Sequence, residues 1–339
     1  MLIEKIKKYK KSSIALGLFF LLILIVLILS RGKVYPEEEL SYGITFSKIE
    51  AKKLGLDWKE SYLNILDDLE IEKIRLVAYW NKIEENKNEY NYENIDWQVE
   101  EASKRNIDII LSVGQRLPRW PECHIPDWGE ELPREEKQEH ILDYIEKTIK
   151  RYQDNENIWA WQVENEPFLS HYFGECPKLD KEFLDRELEL VRNLDSRPVI
   201  VTDSGEISLW IPAARRADIF GTTMYKETYS GQLNMYINYP IRPGFFHFKR
   251  NITSWFASPD DWLVIELQAE PWGHKAYHKI SLEDRERTMS PEKFDNMMEF
   301  ARKSGFREFY LWGAEYWYWE KEKNNNPEMW ERAENLFTQ

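Results

Sequence analysis

Residues 159–167, which read WAWQVENEP, contain the two features from which the fold can be predicted. An apolar run typical of a buried strand comes first, and it ends abruptly in Asn165, Glu166 and Pro167. A second run of this kind, residues 262–266 (WLVIE), also closes on a carboxylate. Carboxylates at the carboxyl ends of barrel strands are where α/β barrels keep their chemistry. The two stretches therefore predict strands of one barrel with functional groups at their ends.

The chain from residue 41 onward alternates strand-like and helix-like segments, the pattern of βα units around a parallel sheet. Strands are predicted at about residues 41–46, 74–80, 107–113, 158–163, 198–202, 219–225, 262–266 and 306–312. Eight such units predict a closed (β/α)8 TIM barrel over residues 41–339, which we interpret as one catalytic domain. An open doubly wound sheet is the alternative, but no Gly-rich phosphate turn follows the first strand.

The first thirty residues have a different character. Five lysines between residues 5 and 11 precede an apolar run over residues 14–29. This length is near the lower limit for a membrane-spanning helix, roughly 17 residues. A cleaved signal peptide is the alternative, but residues 29–33 (LSRGK) make a poor cleavage site. We therefore predict a basic cytoplasmic segment (1–13), a transmembrane signal anchor (14–30) and a polar linker (31–40), with the barrel outside the cell membrane.

The composition restricts the ligand. Acidic residues outnumber basic ones, 60 to 46, and the net charge of −14 argues against nucleic acid and favours a neutral substrate, although solubility alone could explain it. Fifteen Trp are more than a core alone requires, and flat aromatic faces are useful in sugar-binding clefts. The candidates near predicted strand ends, each of which could equally pack within a loop, are Trp80, Trp120, Trp128, Trp272 and Trp317.

Glu166 and Glu266 are the candidate catalytic pair. Cleavage of a glycosidic bond requires a proton for the leaving oxygen and a negative group at the anomeric carbon, and two carboxyls supply both. Glu164 competes with Glu166, because residues two apart face the same side of an extended strand. Glu270 competes with Glu266 if the seventh strand ends later than expected.

Asn165-Glu166-Pro167 after a fourth strand, Glu266 after a seventh and Trp312 at an eighth resemble the retaining glycoside hydrolases of clan A. The resemblance extends from residue 41 to the C-terminus. It implies an eightfold barrel in which Glu166 is the acid/base and Glu266 the nucleophile.

The same resemblance implies roles for three further residues. Arg75 would form hydrogen bonds near the nucleophile, Tyr225 would contact it, and Trp312 would lie under the reacting sugar. Asn165 offers both a donor and acceptors to a sugar hydroxyl. Each also has a purely structural interpretation, Arg75 as a member of a core ion pair and the two aromatic residues as packing.

The motifs are similar to those of cellulase family 5 and of β-galactosidase family 42 in equal measure. Glu266-Leu267-Gln268 departs from the Glu-Phe-Gly ending common in family 5. The resemblance implies retaining hydrolysis of a β-linked oligo- or polysaccharide, with a carbohydrate as partner and no cofactor. A non-catalytic sugar-binding barrel is the alternative.

No metal site is predicted. His274 and His278 have the spacing of one helical face, but Pro271 and Gly273 make a helix start there uncertain. No phosphate loop or Ser-centred nucleophile elbow is present in the sequence.

The cysteines Cys123 and Cys176 follow the third and fourth predicted strands. A disulfide between them is favoured over two unrelated thiols, because disulfides persist outside the membrane. The sugar, the linkage, the mode of attack along the substrate and the oligomeric state are not indicated by the sequence.

Overall fold

The computed structural model describes residues 17, 19–21, 32–169, 174, 176 and 180–338. Of the expected anchor, only Gly17 and residues 19–21 are described, as exposed helical residues; the rest of the segment lies outside the described residues. No helix in the described ranges has the length and apolar character needed to cross a bilayer. The anchor therefore stays a prediction.

Eight parallel strands close into a barrel, and a two-stranded hairpin is inserted after the sixth. In chain order the strands are β1 (Ser41–Thr45), β2 (Lys73–Val77), β3 (Asp108–Val113), β4 (Ile158–Val163), β5 (Val199–Asp203), β6 (Ile219–Met224), the hairpin strands β7 (Glu227–Ser230) and β8 (Met235–Asn238), β9 (Asp261–Gln268) and β10 (Glu308–Trp312). β9 and β10 are the seventh and eighth strands of the barrel, and β10 closes it on β1. The predicted (β/α)8 barrel is confirmed, and the open doubly wound sheet is wrong.

Helices surround the barrel and begin where local chemistry favours them. The Asp57 side chain accepts hydrogen bonds from the backbone N–H groups of Lys59 and Glu60 and so caps the helix that starts at Trp58. Ser290 caps the helix that starts at Pro291. The α-helices are Lys48–Lys53, Trp58–Asp68, Trp80–Ile83, Glu93–Ser103, Asp127–Glu130, Arg134–Tyr152, Lys181–Leu194, Ile211–Ala214, Pro243–Thr253, Leu282–Glu286, Pro291–Arg302, Ala314–Asn324 and Glu328–Phe337, with short 3-10 helices at Glu37–Glu39 and Tyr277–Lys279.

Several elements differ from the sequence-based prediction, among them the inserted hairpin β7–β8, the second strand and a helix near the C-terminus. The second strand was expected to reach residue 80 but ends at Val77, because the chain turns into the helix Trp80–Ile83. The helix Ala314–Asn324 was not predicted at all. Its residues 314–320 are all buried, so it lacks the alternation of apolar and polar faces that identifies a helix in a sequence.

The floor of the barrel is apolar and its upper end is polar. Ile110, Ala160, Ile200, Leu263 and Ile265 belong to one buried cluster within the barrel. Alternate residues on the same strands, such as Ile109 and Val264, pack into the larger core that also includes residues of the surrounding helices. This packing fixes the strands, so side chains at their carboxyl ends have defined positions.

Candidate active site

An irregularity in β9 determines the direction of Glu266. Thr222 pairs with Val264 and Thr223 pairs with Glu266, so β9 has one extra residue, Ile265, between the two pairs. Simple alternation from the inward-facing Ile265 would turn Glu266 toward the outer helices. The bulge reverses this alternation, and Glu266 points into the barrel toward Arg75.

Both oxygens of Glu266 have hydrogen-bond donors. Arg75 Nη1 donates to Oε1 at 2.9 Å, and the Tyr225 hydroxyl donates to Oε2 at 3.0 Å. Arg75 lies in the middle of β2 and is fully buried, whereas Glu266 is 4% exposed. Charge-assisted hydrogen bonds of this kind hold a carboxylate in one orientation. Arg75 and Tyr225 therefore have the contacts with Glu266 that the sequence resemblance implied.

Arg75 also fixes Asn165. Its Nη2 donates to Asn165 Oδ1 at 2.8 Å, and Gln162 Nε2 donates to the same oxygen at 3.2 Å. Because two donors converge on Oδ1, the amide nitrogen of Asn165 must point the other way. One guanidinium thus links the loop after β4 to the end of β9.

Glu166 reaches the same place from the other side of the barrel. It lies three residues after β4, with a positive φ of 45°, and its backbone N–H donates to Thr202 Oγ1 at 2.7 Å. Its Oε1 lies 3.3 Å from Thr223 Oγ1, and Thr223 is the strand partner of Glu266. Glu166 therefore reaches the strand neighbour of Glu266 at the barrel mouth.

Burial and then the charge of Glu266 raise the pKa of Glu166 well above its ordinary value. Arg116 opposes this shift, and Glu122 and Asp203 add to it. A carboxyl that keeps its proton near neutral pH can act as a general acid. The two candidate carboxyls therefore have different environments: burial and neighbouring negative charge favour the protonated form of Glu166, whereas Arg75 and Tyr225 hold Glu266.

The expectation that Glu164 faces the same side as Glu166 is wrong. β4 ends at Val163, and Glu164 has a positive φ of 60°, so the strand geometry behind that expectation does not apply. Its carboxylate accepts the backbone N–H groups of Gln115 at 2.8 Å and Arg116 at 2.7 Å. Burial raises the pKa of Glu164. Burial and then the charge of Glu164 raise the pKa of Glu187 on the helix Lys181–Leu194. Glu164 is a structural partner of this helix.

Glu270 is engaged elsewhere as well. Its Oε1 accepts Trp312 Nε1 at 2.8 Å and forms an ion pair with Arg119, which also pairs with Glu315. β9 continues to Gln268, so Glu266 lies within the strand and Glu270 in the loop beyond it. The alternative in which Glu270 replaces Glu266 is therefore not supported by this geometry.

Trp312 ends β10 at the mouth of the barrel. The guanidinium of Arg119 lies 4.1 Å from the centre of its ring, and Glu270 holds its indole nitrogen. One face of the ring is thus covered by a cation. Any sugar ring stacked on Trp312 has to use the opposite face.

The five other tryptophan candidates divide into two groups. Trp80 and Trp317 are fully buried, with their indole nitrogens bound to Glu84 and to the carbonyl of Ala269, so the prediction of sugar stacking is wrong for both. Trp120 is 57% exposed, and Trp128 and Trp272 are half-buried. Trp272 packs edge-on against Tyr225 at 5.1 Å, which makes it the candidate nearest to Glu266.

Glu122 is a carboxyl at the site that the sequence reasoning missed. It lies within the long loop after β3, is 8% exposed, and its Oε2 accepts Asn165 Nδ2 at 3.4 Å. The next residue, Cys123, forms a disulfide with Cys176, which confirms the pairing favoured from the sequence. Because Glu122 lies in an irregular loop, no periodic pattern of the sequence marks it. Its position next to Cys123 is the one signal that could have indicated a fixed side chain.

The two histidines considered as metal ligands do not share a helical face. His274 is exposed and precedes the short 3-10 helix Tyr277–Lys279, which contains His278. Among the residues with described positions, no three His, Cys, Asp or Glu side chains are grouped to hold a metal ion.

Comparison with curated proteins finds distant relatives. The β-galactosidase BgaA of Clostridium cellulovorans is 23% identical over 170 residues, which cover 44% of this chain and 26% of that protein. The β-galactosidase LacA of Lactobacillus acidophilus is 24% identical over 136 residues, covering 35% of this chain and 20% of that protein. The chain thus matches about a quarter or less of the length of these relatives.

Solved structures share the fold at low identity. Xylanase 10B from Thermotoga petrophila, in complex with xylobiose, has a TM-score of 0.56 and 14% identity over 88% of this chain and 94% of that chain. GH5_18 from Streptomyces cattleya, in complex with GlcNAc, has a TM-score of 0.54 and 12% identity over 80% of this chain and 70% of that chain.

The family model described as cellulase, glycosyl hydrolase family 5, matches residues 43–281. This match spans most of the barrel, from β1 to beyond Glu266. It decides between the two families that the motifs resembled equally, despite the unusual Glu266-Leu267-Gln268 ending. The chain belongs to glycosyl hydrolase family 5, the cellulase family, within the retaining glycoside hydrolases of clan A.

Proposed function

We propose that this protein is a membrane-anchored, extracytoplasmic glycosidase that cleaves β-linked oligo- or polysaccharides with retention, using Glu166 as acid/base and Glu266 as nucleophile. The observation on which this depends is that Glu166 accepts a hydrogen bond from Thr223, the strand partner of Glu266, while the charge of Glu266 acts on the Glu166 carboxyl. Their different environments match the different tasks of the two groups in a double displacement.

In the first step, protonated Glu166 gives its proton to the glycosidic oxygen as that oxygen leaves. A carboxylate oxygen of Glu266 attacks carbon one and forms a glycosyl ester. Arg75 and Tyr225 hold Glu266 in the orientation for attack, so little reorganisation is needed. In the second step, ionised Glu166 takes a proton from water, the resulting hydroxide attacks carbon one, and the Glu266 carboxylate departs.

The ester step also changes the basicity of Glu166. The negative charge of Glu266 is one cause of the raised pKa of Glu166, and this charge disappears when the ester forms. The pKa of Glu166 then falls, which favours the ionised form that activates water. The same pair of groups thus supports acid catalysis first and base catalysis second.

The substrate is expected to be a neutral β-glycoside. The family is described as cellulase and the curated relatives as β-galactosidases, which makes β-glucosides and β-galactosides the first sugars to test. The acidic surface of the chain, with a net charge of −14, fits a neutral ligand better than an acidic one.

A panel of aryl β-glycosides tests the activity. We expect the wild-type protein to release the aryl alcohol from at least one sugar, and Glu266→Gln to lose this release while keeping the fold. Binding of oligosaccharide without any release by the wild type would instead identify a non-catalytic sugar-binding barrel.

The membrane anchor has its own test. Its support is the lysine-rich segment followed by the apolar run over residues 14–29. We expect the full chain to sediment with membranes and to be digested by protease added outside intact cells, whereas a chain lacking residues 1–30 is released. Recovery of the full chain in the soluble fraction would contradict the anchor.

A further inference from the structure

Backbone hydrogen bonds hold a tight turn in the loop after β3. Leu117 N–H donates to the carbonyl of Glu122 at 2.7 Å, and Glu122 N–H donates to the carbonyl of Arg119 at 2.9 Å. Glu122 itself has a positive φ of 73°, and the disulfide Cys123–Cys176 follows immediately. The backbone that supports this side chain is therefore held by two hydrogen bonds and one covalent link.

Gly174 packs directly against the side chain of Glu122. A Cβ at Gly174 would come within 2.7 Å of Glu122 Cβ, a distance that side chains cannot tolerate. The φ of Gly174 is +80°, which also favours glycine. Gly174 thus lies against the Glu122 side chain and limits its rotamers.

Glu122 completes a row of hydrogen bonds that begins at Glu266. Arg75 donates to both Glu266 and Asn165, and Asn165 Nδ2 donates to Glu122 Oε2 at 3.4 Å. Among the described residues, Asn165 is the one hydrogen-bond donor to the Glu122 carboxyl. The row therefore runs from the candidate nucleophile to a third buried carboxyl.

We propose that Glu122 is a positioning residue that orients the Asn165 amide and adds its negative charge to that of Glu266 beside Glu166. This inference rests on the proposed function, because it assigns a task within that reaction. Glu122 makes no bond to the reacting atoms in it.

The charges around Glu122 support the second part. Four charged groups on the described elements act on Glu122 or are acted on by it. They are Arg116 on the same loop, Arg75 on β2, Glu166 after β4 and Glu266 on β9. Burial raises the pKa of Glu122 to about 7, Arg116 opposes this, and Glu266 adds to it. As Glu122 ionises, its charge raises the pKa of Glu166 further, so Glu166 keeps its proton to a higher pH.

Substitutions at Glu122 separate charge from shape. Glu122→Gln keeps an acceptor for Asn165 and removes the charge, whereas Glu122→Asp keeps the charge. With the best aryl glycoside, we expect Glu122→Gln to move the alkaline limb of kcat/KM to lower pH by about 0.5–1 unit, with KM changed by less than about twofold. Glu122→Asp should leave the limb in place.

Two controls make the result specific. Glu189→Gln removes the same charge from an exposed position on the helix Lys181–Leu194 and should leave the profile unchanged. Thermal melting checks that each variant is folded. If both Glu122 variants lose stability, their pH profiles can still be compared, because only Glu122→Gln lacks the charge.

The outcomes distinguish this inference from the proposed function. If the wild type hydrolyses the glycoside and Glu122→Gln has the wild-type alkaline limb, the inference about Glu122 is wrong and the proposed function stands. If the wild type hydrolyses no glycoside, both are wrong.

Discussion

Thr223 and Glu266 are paired residues on neighbouring strands of the barrel, and the Thr223 hydroxyl also lies 3.3 Å from the carboxyl of Glu166. This single threonine therefore connects two acids that are 100 positions apart in the sequence, by residue number. The connection depends on the bulge in β9, since a regular strand would turn Glu266 outward.

Removal of the acid should depend on the leaving group. Glu166→Ala is expected to lose about 10²–10⁴-fold in kcat/KM for substrates with poor leaving groups, because these need protonation. Dinitrophenyl glycosides, whose leaving groups need no proton, should lose far less in the first step. Steady-state and burst kinetics on both substrate types measure the difference. An equal loss on both would remove Glu166 from the acid role.

Removal of Arg75 should affect stability as well as activity. Arg75→Ala leaves the buried carboxylate of Glu266 and Asn165 Oδ1 without their guanidinium, and loss of one partner of a buried ion pair costs about 3–5 kcal/mol. Urea unfolding measures this cost. The matched control is Lys87→Ala, which breaks the exposed pair with Glu136 and should cost about 1 kcal/mol or less. An equal loss of unfolding free energy in the two variants would contradict the assignment of Arg75 as the buried partner of Glu266.

The disulfide should contribute to stability. Cys123 and Cys176 are separated by 53 positions, and removing a cross-link of this span by a double Cys→Ser substitution should cost about 2–4 kcal/mol. Thermal unfolding under oxidising conditions measures the loss, and dithiothreitol should reproduce it in the wild type. No change in either experiment would show that the bridge does not form in solution.

The raised carboxyl pKa values predict a direction for stability against pH. The pKa values of Glu122 and Glu270 rise from 4.5 to about 7, so the folded state binds more protons than the unfolded state up to that pH. The free energy of unfolding should therefore fall as pH rises from about 6.5 to 7.5, by roughly 1–3 kcal/mol. His124, whose pKa is lowered to about 4, changes the free energy of unfolding in the opposite direction, but most of that change occurs below pH 6.5.

Denaturant unfolding at the two pH values checks this direction. Glu270→Gln removes one of the titrating groups and should make the dependence on pH weaker. A free energy of unfolding that increases between pH 6.5 and 7.5 would contradict the account.

The sequence is sufficient to predict the barrel and the central part of the site. Apolar runs that end in Glu166 and Glu266 define two strands, and the eightfold alternation defines the closed sheet. Arg75 and Tyr225 were implied by the resemblance to clan A, and Asn165 by its place beside Glu166. The structure brings all three into one hydrogen-bonded group around Glu266.

The remaining features depend on long-range geometry that local patterns do not contain. The two positive-φ residues after β4 separate Glu164 from Glu166, and a strand-based rule could not foresee this. Trp80 and Trp317 lie near strand ends in sequence but turn into the core. Glu122 comes from a loop whose path is fixed by a disulfide and by Asn165, so its role becomes visible only in three dimensions.

Covalent trapping of the nucleophile tests the central claim most directly. A 2-deoxy-2-fluoro aryl glycoside of the preferred sugar slows release of the glycosyl ester, so the intermediate accumulates and can be located by peptide mass spectrometry. The account predicts one fluoroglycosyl group, attached to Glu266. Attachment to Glu164 or Glu270, or turnover with inversion and no labelled peptide, would contradict it.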